Sequence, residues 1–90
     1  MAWRIEFDPA AARELDKLDP QSARRILKFV SERAAQSSNP RRLGQALKGS
    51  RLGEFWKYRV GDFRIIASIE DRLLLILIVR IGDRREVYRR

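Results

Sequence analysis

The spacing of apolar residues changes at Phe55, and no other feature constrains the fold as much. Before that point Ala11, Leu15 and Leu18 recur at helical intervals, and so do Ala23, Ile26, Leu27, Val30 and Ala34. Such a period lines apolar side chains along one stripe of a helix. After it Trp56, Tyr58 and Val60 alternate with Phe55, Lys57 and Arg59, which is the period of a strand. A run of helices followed by a run of strands in 90 residues predicts one α+β domain over residues 1–90. A chain of this length buries a modest core, so its stability margin is narrow.

Local signals place the elements. Trp3, Ile5 and Phe7 alternate with Arg4 and Glu6, a short half-buried strand. Asp8-Pro9 and Asp19-Pro20 each pair a capping carboxylate with a proline suited to the first helical turn. They open two helices joined by a short link, a helical hairpin. Gln36 to Pro40 ends the second helix, and Arg41 to Gly53 reads as an irregular basic connection. Strands are then expected over Phe55–Val60, Phe63–Ile69, Leu73–Ile81 and Arg84–Arg89, turning at Gly61-Asp62, Glu70-Asp71 and Gly82-Asp83. Leu73 to Ile81 is apolar on both faces and belongs in the middle of the sheet. The expected order is β-α-α-β-β-β-β: an N-terminal strand and helical hairpin packed on a mainly antiparallel, twisted sheet of four to five strands.

Composition narrows the chemistry. With no cysteine and no histidine, disulfides, thiolate or imidazole metal ligands and the common form of a catalytic triad are excluded. Catalysis would have to use Lys, Arg, Tyr, Ser or carboxylates. The acidic residues do not cluster in the sequence, which argues against a two-metal nuclease, so neither metal nor cofactor is expected. No apolar stretch follows Met1-Ala2-Trp3-Arg4, and the longest apolar run, Leu73 to Val79, is too short to span a bilayer. The expectation is a cytoplasmic protein with no membrane partner.

The net charge of +8 favours a polyanionic partner. Residues 1–40 are nearly balanced at +1, whereas residues 41–64 carry seven basic and two acidic side chains, and residues 80–90 five and two. Alternation gives this excess a direction. Trp56, Tyr58 and Val60 supply the apolar face on which the helices pack, so Lys57 and Arg59 point to the opposite face. Arg64 belongs there too, because Phe63, Ile65, Ala67 and Ile69 form the more apolar side of its strand. Arg84 and Tyr88 share one face of the last strand. Like charges set this close repel, and a phosphate-rich ligand would account for them through charge-assisted bonds and counterion release. Phe55 and Tyr88 are placed to stack on unpaired bases. A solvated basic face without a specific ligand is the competing reading.

Several segments resemble RelE/ParE-type toxins in the same order along nearly the whole chain. The core of the resemblance is Phe55-Trp56-Lys57-Tyr58-Arg59-Val60-Gly61-Asp62-Phe63-Arg64-Ile65-Ile66, followed by Ile81-Gly82-Asp83-Arg84-Arg85-Glu86-Val87-Tyr88. Pro40-Arg41-Arg42-Leu43-Gly44 and Ala46-Leu47-Lys48-Gly49 resemble the connecting segment of the family. Ile5 to Ala11 and Leu15 to Asp19 resemble its opening. Within the superfamily the RelE branch is the more similar. The resemblance implies the RelE-like microbial ribonuclease fold and a type II toxin that cleaves mRNA on the ribosome. It also implies an acidic or amphipathic RelB-like antitoxin as partner, beside the ribosome and mRNA.

The family's functional positions, basic residues on the sheet and a C-terminal tyrosine, fall on Lys57, Arg59, Arg64, Arg84 and Tyr88. Further contacts to RNA or ribosome are expected from Arg41, Arg42, Lys48, Arg51, Phe55, Arg85 and Arg89. The implied reaction is attack of an RNA 2′-OH on the adjacent phosphate, leaving a 2′,3′-cyclic phosphate. It needs a proton acceptor for the 2′-OH, cations for the charge growing on phosphate and a proton for the leaving 5′-oxygen. Arg64 suits the second task because its fork binds phosphate bidentately. Some relatives carry a lysine with a base role where this chain has Arg59. A guanidinium, protonated to roughly pH 12.5 or above, is a poor base. That task passes to Lys57 or Tyr88, with Arg84 as acid or further charge stabiliser. Many relatives carry histidine at the position of Asp83. The alternatives are a ParE-like protein that inhibits DNA gyrase by binding, and a plain RNA-binding domain.

Overall fold

A computed structural model of the chain describes residues 2–47 and 55–83. Strand β1 covers Arg4–Phe7. The Asp8 carboxylate then accepts the Ala10 N–H at 3.0 Å, with Pro9 in the first turn, and helix α1 runs over Pro9–Asp16. The device repeats: Asp19 accepts the Ser22 N–H at 3.1 Å and α2 runs over Pro20–Lys28. Both caps satisfy a backbone donor that a helix start leaves orphaned. The second helix then widens into a π turn over Phe29–Ala34, where the Ala35 N–H donates to the Val30 carbonyl five residues back at 2.9 Å. Val30, Ala34 and Ala35 are all buried there. Leu27, expected on the apolar stripe, is 42% exposed. Ile26 holds the inward position of that turn, and the next residue lies about 100° around the helix.

The sheet contains β2 (Gln45–Ala46), β3 (Phe55–Val60), β4 (Phe63–Glu70) and β5 (Leu75–Asp83) beside β1, in the order β1-β5-β4-β3-β2. All neighbours are antiparallel except β1, which runs parallel to β5. The α+β class and the element order agree with expectation, but the membership of the sheet differs. The stretch read as irregular contains a 3₁₀ turn over Pro40–Leu43 and the short edge strand β2. The central strand starts at Leu75, not Leu73, because Asp71–Leu73 forms a 3₁₀ turn and Leu74 takes a left-handed φ of 48°. Gly82-Asp83 is not a turn: these residues continue β5 and pair with Arg64 and Phe63. The strand expected over Arg84–Arg89 lies outside the described residues.

One irregularity decides which side chains enter the core. Along β5, Ile66 pairs with Arg80 and Ala67 with Ile78, so Val79 is an extra residue. Strict alternation from Ile76 and Ile78 would send Arg80 inward. The bulge shifts the phase by one residue, so Ile81 is buried instead. Arg80 and the Ile81 backbone N–H both meet Glu14 of α1, at 3.0 Å and 2.8 Å. Glu14 thus takes up a strand donor just beyond the last residue of β1 to pair with β5. Ile65, Ala67, Ile69, Ile76, Ile78 and Ile81 line the inward sheet face, against Ala11, Ile26, Val30 and Ala34 of the helices.

Candidate functional site

The hairpin of β3 and β4 carries the basic residues. Its two-residue loop has Gly61 at φ +60°, the conformation a tight hairpin requires at its first central position and one that glycine adopts without strain. The resulting register sets Arg59 directly opposite Arg64, Tyr58 opposite Ile65 and Lys57 opposite Ile66. Tyr58 is buried and packs its ring 5.4 Å from that of Phe29. Lys57, Arg59 and Arg64 therefore emerge on the face away from the helices.

A second wall rises from the segment before β2. The Tyr58 hydroxyl donates to the Pro40 carbonyl and the Trp56 indole N–H to the Arg41 carbonyl, both at 2.9 Å. Gly44 lies so close to β3 that a Cβ there would sit 2.2 Å from the Lys57 carbonyl oxygen. With β2 in place, Gln45 stands opposite Lys57. Between the walls lies an open groove of about 360 Å³, lined by Arg42, Leu43, Gly44, Gln45, Lys57, Tyr58, Arg59 and Arg64. Among the described residues no carboxylate forms an ion pair with Arg42, Arg59 or Arg64. Opposed like charges weaken a sheet, and an anion seated between them would reverse that.

Tyr58 is part of the groove but not a proton acceptor. Burial pushes its phenol up to about 12, and the hydroxyl is committed to Pro40. Arg41 makes a bidentate pair with Asp71 at 2.9 and 2.8 Å, and its guanidinium lies 5.9 Å from the Trp56 ring centre. These bonds hold the Asp71 carboxyl below the usual carboxylate range.

Of the residues expected in the site, the structure gathers Arg42, Lys57, Arg59 and Arg64 in one groove. Phe55 is half-buried on the same strand, opposite Ser68, and is not part of the groove lining. Lys48, Arg51, Arg84, Arg85, Tyr88 and Arg89 lie outside the described residues. Gln45 and Gly44 were missed: a wall built by a two-residue strand has no periodicity to detect. Among the described residues no cluster of side chains suits a metal ion, and no helix is long and apolar enough to cross a membrane.

Comparison with known proteins agrees with this architecture. Residues 5–88 match the family of ParE toxins of the type II toxin–antitoxin system parDE. The toxin RelG of Mycobacterium tuberculosis is 30% identical over 90 residues, covering the whole of both chains. The toxin RelE of the same organism is 30% identical over 87 residues, covering 97% of this chain and 87% of the relative. Among solved structures, the RelBE2 toxin–antitoxin complex of M. tuberculosis superposes with a TM-score of 0.83 over 92% of each chain, at 24% identity. The isolated E. coli RelE toxin gives 0.70 over 91% of this chain and 84% of that one, at 18% identity. At such identities the structural likeness establishes the fold. The family match and the full-length relatives go further: this chain is a type II toxin of the RelE/ParE superfamily, on its RelE-like branch.

Proposed function

We propose that the protein is a ribosome-dependent endoribonuclease that cuts mRNA without a metal. The observation that carries this reading is the groove in which Arg59 and Arg64 oppose one another beside Arg42 and Lys57. Guanidinium forks match phosphate oxygens, and several converging on one site suit the charge that grows on a phosphate under attack. In the proposed step the 2′-oxygen bonds to the adjacent phosphorus and gives its proton to a base. The bond from phosphorus to the 5′-oxygen breaks, and that oxygen takes up a proton. The products are a 2′,3′-cyclic phosphate and a 5′-hydroxyl. Arg64 and Arg59 stabilise the phosphate charge. Lys57 or Tyr88 accepts the proton, Arg84 serves the leaving oxygen or the charge, and the ribosome holds the RNA in an attack geometry.

The partners proposed with this activity are the ribosome, mRNA and a RelB-like antitoxin. Several of the similar structures are toxin–antitoxin complexes, those of M. tuberculosis and E. coli among them, and a basic groove suits an acidic cover. Primer extension on mRNA after induction, with and without translation, tests the reading. Cuts are expected only with translation, with cyclic or 3′-phosphate ends. A folded Arg64→Ala variant is expected to lose growth arrest, and full toxicity from it would reject the assignment. Intact mRNA together with DNA damage would favour gyrase as the target.

A further inference from the structure

Asp71 lies outside the groove, yet it meets the residue next to a groove cation. Pro40–Leu43 carries Arg41 and Arg42 on consecutive positions of a 3₁₀ turn. Arg42 lines the groove, whereas Arg41 reaches away to the 3₁₀ turn between β4 and β5 and grips Asp71 with both terminal nitrogens. Five other bonds locate the same turn, among them that from the Tyr58 hydroxyl to the Pro40 carbonyl at 2.9 Å. The Arg41 carbonyl accepts from the Trp56 indole at 2.9 Å and from the Gly44 N–H at 3.3 Å. The Arg41 N–H donates to the Asn39 side chain at 3.2 Å, and the Arg42 N–H to the Asn39 carbonyl at 3.1 Å. The bonds from Trp56 and Tyr58 tie the turn to β3, and the other three lie within residues 39–44. The Arg41–Asp71 pair ties it to a second point, 30 residues away in sequence.

We infer that Asp71 is a positioning residue: through its bidentate pair with Arg41 it sets the 3₁₀ turn so that the neighbouring Arg42 faces the anion held by Arg59 and Arg64. This rests on the groove being the RNA site proposed above. The pair is solvent-accessible, with side-chain exposures of 36% and 64%. Exposed pairs add little to global stability, so the latch acts on the local placement of one cation and leaves the fold intact. Planar two-point geometry is what lets it define a direction, and lysine at position 41 cannot supply it.

The test is a double-mutant cycle with Asp71→Asn and Arg42→Ala. It is read as affinity for an uncleavable 2′-O-methyl single-stranded RNA and, separately, for inorganic pyrophosphate. Asp71→Asn is expected to weaken binding about two- to fivefold, within the range of a well-oriented exposed pair, with an unchanged thermal midpoint. Asp71→Glu restores most of that loss, and Arg41→Lys mimics it. In an Arg42→Ala background Asp71→Asn has no further effect, a coupling that a merely structural role would not produce. Wild-type affinity in Asp71→Asn, or an equal loss with and without Arg42, overturns the inference. Wild-type protein that binds pyrophosphate but not RNA overturns the RNA reading, and the cycle is then decided on pyrophosphate. Protein that binds neither probe overturns both.

Discussion

Replacing Gly44 by alanine tests the architecture of the groove through a single methyl group. Gly44 has φ −148°, an extended conformation open to any residue. Alanine therefore meets no backbone strain there, and the stiffer unfolded chain would favour folding by about 0.4–1 kcal/mol. The packing acts in the opposite direction. The added Cβ would lie 2.2 Å from the Lys57 carbonyl, 2.8 Å from a ring carbon of Tyr58 and 3.0 Å from one of Trp56. The carbonyl belongs to β3, in the body of the sheet, so the segment carrying Gly44 must retreat. At stake are the two-residue ladder of β2 with β3 and the bonds from Trp56 to the Arg41 carbonyl and from Tyr58 to that of Pro40. Losing two or three of them, at roughly 0.5–1.5 kcal/mol each, outweighs the entropic gain. The expected net loss is about 1–3 kcal/mol, a fall in thermal midpoint of roughly 5–20 °C for a domain of this size. Thermal unfolding followed by circular dichroism measures it. Gln45→Ala, at the adjacent exposed position on β2, is the control, expected to stay within about 0.5 kcal/mol. Binding of 2′-O-methyl RNA should weaken in parallel, because Arg42 and Gln45 move away from Lys57, Arg59 and Arg64. A Gly44→Ala protein with wild-type midpoint and affinity would refute the close approach of the two walls.

Other expectations follow from single contacts. Tyr58→Phe removes the donor to the Pro40 carbonyl and should cost about 1–2 kcal/mol in urea unfolding. Because the folded phenol is raised to about 12, Tyr58 favours the folded state below the ordinary tyrosine range near 10, and this is lost as pH rises toward 12. Absorbance titration should show one late tyrosine, absent in Tyr58→Phe. At the acid end, Ser22 holds the Asp19 carboxyl low and Arg41 holds that of Asp71 low. The stability they contribute is present above about pH 4 and disappears as pH falls through the folded values. Asp19→Asn should flatten its part of the acid unfolding curve, while Asp71→Asn, in an exposed pair, should leave the curve nearly unchanged. Glu14→Ala leaves the Ile81 N–H without its acceptor and Arg80 without its partner, at a cost of about 1–3 kcal/mol. Hydrogen exchange of the Ile81 amide should accelerate in this variant, and unchanged protection would exclude the contact.

Short-range patterns told the truth here wherever one neighbour decides the outcome. Asp8-Pro9 and Asp19-Pro20 cap helices because a carboxylate two or three residues upstream reaches a free N–H whatever the rest of the chain does. Alternation separates Tyr58 from Lys57 and Arg59 because a strand has two faces, and one must meet the helices. Gly61 turns a hairpin because few residues tolerate its φ. The basic character of the groove was legible in this way before any fold was known.

Its shape was not. Arg41 finds Asp71 across 30 positions, whereas its neighbour Arg42 lines the groove, a division that composition does not show. Gly44 builds a wall because β3 lies against it, a contact written in neither segment alone. The bulge at Val79 exchanges Arg80 for Ile81 in the core, against the alternation of the strand itself. The local sequence determined which side chains carry charge and which face of each element is apolar. Register, partner and depth of burial depend on contacts between distant segments, and only the tertiary structure decided those.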